Sequence, residues 1–268
     1  MGAGQISSGT PFCRINAAFH LTTERRIYAA AKNSSCAPTD STFLLEAGSQ
    51  STYIQCVRIV SYVTVVIAAY LLGSIPTGYL VARAKGVDIR TVGSGNIGAT
   101  NVFRILGKPA GIFVLVFDGL KGFAGCAWLV DAVIQAFQTS PEETEYLRLV
   151  AGLNVILGHN YTCWLNFKGG KGIATSAGVL AALVPWALLI ILSLWIILFV
   201  LTRYVSVGSL AASFTLPFAT WFTTNSWTLT FVTAAMAVLA IYKHKANIQR
   251  LLNGTENRIG ASKGQSTP

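Results

Sequence analysis

The chain has 268 residues, of which 53% are apolar and only 11% charged, and its formal net charge is +10. Ordinary soluble domains carry roughly 25% charged residues, so this composition excludes that class and indicates a membrane-embedded protein. The cations fall between apolar segments rather than on one solvated face, which argues against a nucleic-acid partner and for contact with anionic lipid.

Residues 1–57 differ from the rest: they are mixed and polar, rich in Ser, Thr and Gly, and have no long periodic pattern, as in a poorly ordered extension. The run Arg14 to His20 is too short and interrupted for a signal-peptide core. Val57-Arg58-Ile59-Val60 opens as membrane proteins often do, and a valine codon can start translation in bacteria. A second expectation is therefore that residues 1–56 do not belong to the native protein, which intact-mass measurement of the natively expressed chain would decide. The five cysteines, Cys13, Cys36, Cys56, Cys126 and Cys163, form no CxxC pair, so no zinc or redox motif is present. Cys126 and Cys163 lie in apolar runs and read as small core residues.

A helix needs roughly 20 apolar residues to cross the hydrocarbon. Ile59–Val81, Pro109–Ile134 and Tyr146–Leu165 are the first three spans. The apolar stretch from Gly172 to Thr202 is broken by Pro185 into a fourth and a fifth, of which the fourth is short or tilted. Ser206–Phe222 and Trp227–Tyr242 complete seven. Seven spans put Arg83, Lys85, Arg90, Arg104, Lys108, Lys168, Lys171, Arg203 and the basic tail from Lys243 on one side. The loop from Asp131 to Glu145 carries only acidic charges and falls on the other. The positive-inside rule then sets the N-terminus outside and the C-terminus in the cytoplasm. The fold expected is an all-α integral membrane protein, with residues 58–258 as the seven-helix domain and 259–268 as a flexible cytoplasmic tail. Most of the six tryptophans sit near span ends, as interfacial anchors do.

Four polar clusters share the cytoplasmic side. The first begins at Gly73-Ser74-Ile75-Pro76-Thr77-Gly78-Tyr79, where Pro76 frees a backbone carbonyl that the Ser74 or Thr77 hydroxyl is placed to re-satisfy. It continues into Gly93-Ser94-Gly95-Asn96 and Asn101 to Arg104, a glycine-rich loop that lipid cannot solvate and whose backbone amides suit an oxyanion. The second is Gly158-His159-Asn160 followed by Lys168-Gly169-Gly170-Lys171-Gly172. Glycines around a lysine at a helix start suit phosphate, through backbone donors, a helix N-terminus and an ammonium; a plain cytoplasmic turn explains the same residues. Leu165 stands where a Walker A loop needs glycine, so a nucleotide is not implied. The third is Arg203-Tyr204-Val205-Ser206, and the fourth runs from Lys243 through His244, Asn247 and Arg250 to Glu256. Singly, these two read as an interface anchor and a solvated amphipathic tail. Asp118 and Lys121, one turn apart, are expected to pair inside the bundle.

Together the stretches GSIPTGYLVAR, RTVGSGNIGATNVFRILGK, FDGLKG, GHNYTCWLNFKGGKGIAT, RYVS and HKANIQRLLNGTE resemble, in order, the acyl-phosphate-dependent glycerol-3-phosphate acyltransferases of bacterial membranes, over about residues 59–258. The resemblance implies a bacterial inner-membrane enzyme whose active site faces the cytoplasm. It implies transfer of a fatty acyl group from acyl phosphate to the sn-1 hydroxyl of glycerol 3-phosphate, giving lysophosphatidate and phosphate, the first acylation of phospholipid synthesis. It implies catalytic roles for Ser94, Arg104, His244 and Asn247, and substrate-binding roles for Asn96, Asn101, Lys168, Gly169, Gly170, Lys171, Gly172, Arg203, Ser206 and Glu256. No cofactor or metal is expected. The partners expected are the two phosphate substrates, the bilayer and an enzyme that makes acyl phosphate.

No histidine is followed four residues later by an aspartate, the base and orienter of another large acyltransferase class, so a substrate phosphate oxygen is the favoured proton acceptor, with His244 the second choice. Competing readings are an organophosphate or anion transporter, against which the lack of an internal repeat counts, and a non-catalytic lipid-binding scaffold.

Overall fold

The computed structural model describes residues 40–260, with side chains from Thr52 onward. Cys13 and Cys36, the Arg14–His20 run and the tail beyond Gly260 lie outside the described residues. The chain divides between Cys56 and Val57 into two units, and the helical bundle belongs to the second. Among the described residues every regular element is helical. The order is α1 (Asp40–Ser74), α2 (Thr77–Ala84), α3 (Ala99–Leu106), α4 (Lys108–Cys126), α5 (Trp128–Phe137), α6 (Thr144–Asn160), α7 (Ile173–Leu183), α8 (Pro185–Thr202), α9 (Val205–Thr224), α10 (Trp227–Lys243) and α11 (Lys245–Leu252).

Among the described residues four stretches are long and apolar enough to cross a membrane: Thr52–Ala84, Lys108–Phe137, Pro185–Thr202 and Val205–Thr224. Helices α7 and α10 are apolar but shorter. The bundle's outer faces carry exposed aliphatic and aromatic side chains such as Ile59, Ile67, Val200, Leu201 and Phe214, which only lipid would solvate favourably. Pro185 separates α7 from α8 as the sequence indicates, and α7 keeps only 11 residues, about half of a crossing length.

The first span breaks at Pro76, which has no N–H to continue the helix. The expectation that Ser74 or Thr77 re-satisfies the break is not met. Lys121 Nζ donates to Ile75 O at 2.8 Å and Thr162 Oγ1 to Ser74 O at 2.6 Å. A hydroxyl has one hydrogen to give, and here Thr77 gives its own to Asp118 Oδ1 and Ser74 to Gly158 O. Asp118 and Lys121 pair at 2.8 Å with side chains 3% and 1% exposed, so the ion pair read from the sequence also stitches the broken helix to α4.

Helix α4 packs closely on α7, as α8 does on α9. At the α4–α7 crossing Gly122 lies against the Thr175 carbonyl and Gly178 against the Gly119 carbonyl, so close that any Cβ would overlap backbone. The larger core includes Val65, Leu147, Val155, Val179 and Met236. A smaller one, with Ala82, Ile89, Ile97, Val102, Val114 and Leu165, lies beneath the glycine-rich loop and fixes it to the bundle. Cys126 is buried, as expected, whereas Cys163 is only partly so, because it starts a short 3-10 turn outside the helices.

Candidate active site

The loop between α2 and α3 is shaped by two side chains. Arg90 grips the Asp88 carboxylate through Nε and Nη2 at 2.9 and 2.7 Å, and its backbone N–H adds a third bond. These hydrogen bonds hold the Asp88 carboxyl down at about 2. Asn101, buried at the start of α3, accepts from Ser94 N through Oδ1 and directs Nδ2 to the carbonyls of Ile89, Val92 and Asn96. Its amide is thus spent on loop architecture, and Asn96 Oδ1 accepts from Gly98 N in the same way. Ser94 remains exposed at the tip.

The lysine loop departs from expectation. Gly169 N donates to Asn160 O at 3.2 Å and Gly170 N to His159 O at 3.0 Å. Two amides read as phosphate donors are therefore committed to the end of α6, along which the loop returns to the bundle. Gly172, at φ +81°, turns the chain into α7, so that Lys171 and the α7 N-terminus face the cavity instead.

At the α10–α11 junction His244 Nδ1 lies 2.7 Å from Ala240 O. A carbonyl only accepts, so Nδ1 carries the hydrogen and Nε2 is the acceptor of the neutral ring. Burial and the Lys171 charge push the His244 pKa down to about 4. Asn247 bridges the cluster: Oδ1 accepts from Lys171 Nζ, and Nδ2 donates to Glu256 Oε1 at 2.7 Å. Glu256 also accepts from Ser206 Oγ at 2.9 Å and from Arg250 Nε at 2.7 Å. Burial opposes its ionisation, yet these hydrogen bonds and the Arg250 charge win and leave its pKa below the ordinary glutamate value. Burial lowers the Lys171 pKa to about 8, with Arg250 and Arg104 adding repulsion against the pull of Glu256. Arg104 is shifted down for the same reason, burial first.

All four sequence clusters border one cavity of about 560 Å³. Ser94, Asn96, Asn101 and Arg104 line it from the first, Lys171 and Gly172 from the second, Ser206 from the third, and His244, Asn247 and Glu256 from the last. Lys168, Gly169, Gly170 and Arg203 do not. Lys168 and Arg203 are exposed at turns, Gly169 and Gly170 face α6, and the Arg203 carbonyl receives Ile259 N and so anchors the returning tail. Arg250, Asp118, His159 and Trp195 line the cavity although the sequence did not mark them as site residues. Arg250 was detectable, since it follows Asn247 by one helical turn. Trp195 is a cavity wall rather than an interfacial anchor, its Nε1 donating to Ser209 Oγ. A second, largely apolar cavity of about 210 Å³ between α7, α8, α9 and α10 adjoins the first, sharing Leu115, Ile173, Ala174, Trp195 and Ser209. Among the described residues no three His, Cys, Asp or Glu side chains converge as metal ligands.

Residues 63–254 match the family model described as glycerol-3-phosphate acyltransferase. The chain is 44% identical over 195 residues to a glycerol-3-phosphate acyltransferase of Endomicrobium trichonymphae, covering 72% of this chain and 94% of that one. It is equally identical over 197 residues to the protein of that description in Geotalea daltonii, covering 74% and 97%. It superposes with a TM-score of 0.67 and 40% identity on the crystal structure of PlsY, an integral membrane glycerol 3-phosphate acyltransferase, in its glycerol 3-phosphate form, over 75% of this chain and 96% of that one. The lysophosphatidic acid form of that protein matches at a TM-score of 0.65 and 39% identity.

Proposed function

The chain belongs to the glycerol-3-phosphate acyltransferase family, and on that premise we propose that it transfers a fatty acyl group from acyl phosphate to the sn-1 hydroxyl of glycerol 3-phosphate. The products are lysophosphatidate and inorganic phosphate. The observation that carries this reading is the convergence of Arg104, Lys171 and Arg250 on one cavity where the tail carboxylate, Glu256, is already bonded by Ser206, Asn247 and Arg250. Such a surplus of cations suits two phosphate-bearing substrates held side by side, and arginine grips phosphate through paired hydrogen bonds. The adjoining apolar cavity offers the acyl chain a path from the bilayer to that site.

The chemistry needs little more than alignment. The sn-1 oxygen attacks the acyl carbon, the carbonyl oxygen gains charge, and the bond to the phosphate oxygen breaks with phosphate as leaving group. Ser94 and neighbouring backbone donors are the candidates for the developing oxyanion. The hydroxyl proton passes to a substrate phosphate oxygen. His244, neutral with Nε2 as acceptor, is the second candidate. Lys168 and Arg203, off the cavity wall, serve as part of the basic rim that attracts anions. We further propose seven crossings with the N-terminus outside, the C-terminus and cavity mouth facing the cytoplasm of a bacterial inner membrane, and supply of donor by an acyl-phosphate-producing enzyme.

Purified protein offered acyl phosphate, acyl-CoA or acyl carrier protein thioester in parallel tests the donor. Product from acyl phosphate alone is expected; product from the thioesters but not from acyl phosphate overturns the assignment.

A further inference from the structure

His159 is five per cent exposed at the end of α6, and its Nδ1 is buried with no hydrogen-bond partner. Buried polar atoms are ordinarily satisfied, so the ring is held there by something other than its own bonding. Asp118 Oδ1, fixed by Lys121 and Thr77, stands 3.7 Å from Nδ1, too far for a hydrogen bond but close enough to bias the ring electrostatically. On its other side the ring lies under the lysine loop. Gly170 N is tied to the His159 carbonyl, and a Cβ built on Gly170 would overlap Nε2 of the imidazole. The next residue is Lys171, whose Nζ reaches Asn247 across the cavity.

We infer that His159 is a positioning residue: its imidazole, backed by the Asp118–Lys121 pair, sets the height of Gly170 and thereby the reach of Lys171 into the phosphate site. This explains why position 170 is glycine although its amide faces α6 and not the cavity. The chain of contacts runs from the break at Ile75 through Lys121, Asp118 and His159 to the loop, so rigid helices rather than the loop's own residues place the ammonium. The inference rests on the acyl-transfer reading for its assay.

Exchange of volume across this contact provides the test. Gly170→Ala, His159→Ala and the double variant are purified, and KM for glycerol 3-phosphate and kcat are measured separately, with unfolding midpoints as a check on folding. Gly170→Ala alone is expected to raise KM about tenfold with kcat little changed, because the methyl drives the loop off the ring. In the His159→Ala background the same methyl has room, so the double variant should regain at least about threefold in KM over Gly170→Ala. An equal effect of Gly170→Ala in both backgrounds overturns the inference. So does a loss in kcat with unchanged KM for His159→Ala, which would put the ring in the chemistry instead. If His159→Ala does not yield folded protein, His159→Asn, which also removes the ring's far edge, carries the same comparison. Absence of turnover by the wild-type protein would instead sink the acyl-transfer reading, so the two failures are distinguishable.

Discussion

Asn247 Nδ2 lies 2.7 Å from Glu256 Oε1, while the opposite edge of the same carboxamide accepts from Lys171. One amide thus joins a cation from the α6–α7 loop to a carboxylate from the C-terminal tail. Asn247→Ala should release both. The expected result is a loss in kcat/KM of about 10²-fold, the scale of removing one preorganised polar group in an active site. Asn247→Asp should not rescue it, because a carboxylate cannot donate to Glu256 and repels it. Steady-state kinetics on the two variants check this, and full activity in Asn247→Asp would show the bridge to be idle.

Arg104 carries the most direct prediction. It borders the cavity from α3, is partly buried, and forms no ion pair with a carboxylate among the described residues. Arg104→Ala should lower kcat/KM by at least about 10²-fold, and Arg104→Lys should recover only part of it, since an ammonium cannot form the paired bonds of a guanidinium. Ser94→Ala should be comparably severe if its hydroxyl meets the oxyanion. A silent Ser94→Ala would favour a scaffold role for the loop.

The pH dependence follows from Lys171. Its folded-state pKa, lowered to about 8 by burial first, lies within reach of ordinary assays. Below pH 8 the ammonium is charged and attracts phosphate; above it the charge is lost. KM for the substrate that Lys171 contacts should therefore rise with pH beyond about 8, and Lys171→Arg should flatten that rise because guanidinium stays charged. A rise of the same slope in Lys171→Arg would assign it to another group. His244 should add no limb of its own in that range. With a pKa pushed down to about 4 it is neutral at any working pH, so no acid limb from His244 should appear above about pH 5.

His244→Ala discriminates between proton acceptors. If a substrate phosphate takes the proton, the variant should keep activity within about two decades of wild type, the loss reflecting orientation alone. A folded variant that loses about four decades of kcat would make His244 the base, since that is the full worth of a general base.

The buried pair gives a stability prediction. Asp118→Asn or Lys121→Met alone strands a charge and should cost about 3–5 kcal/mol, whereas the double variant should cost less than the sum. Unfolding midpoints in detergent measure this. Additive losses would mean that the two side chains act separately.

Much of the bundle was legible in the residues. Pro76 and Pro185 break helices where a missing N–H requires it, and among the described residues four of the seven expected spans are helices long and apolar enough to cross a membrane. The six motifs that resemble the family were sufficient to nominate Ser94, Arg104, Lys171, Ser206, His244, Asn247 and Glu256, and all of these border one cavity. The fate of individual polar atoms was not legible. Gly169 and Gly170 carry a phosphate-like pattern, yet their N–H groups are taken by the end of α6. Asn101 looks like a ligand and is a loop brace. Asp118 and His159 carry no spacing that announces a place in the wall, whereas Arg250 follows Asn247 by one helical turn.

The sequence alone determined the solvent of this protein, because composition and the length of apolar runs fix whether a segment prefers hydrocarbon or water, and it determined the chemical inventory of the site. Only the tertiary structure decided which donors remain free for a ligand. A hydrogen bond is spent on whatever partner packing brings within about 3 Å, and partners such as Gly170 with His159 or Lys121 with Ile75 are set by how helices cross, not by any spacing along the chain.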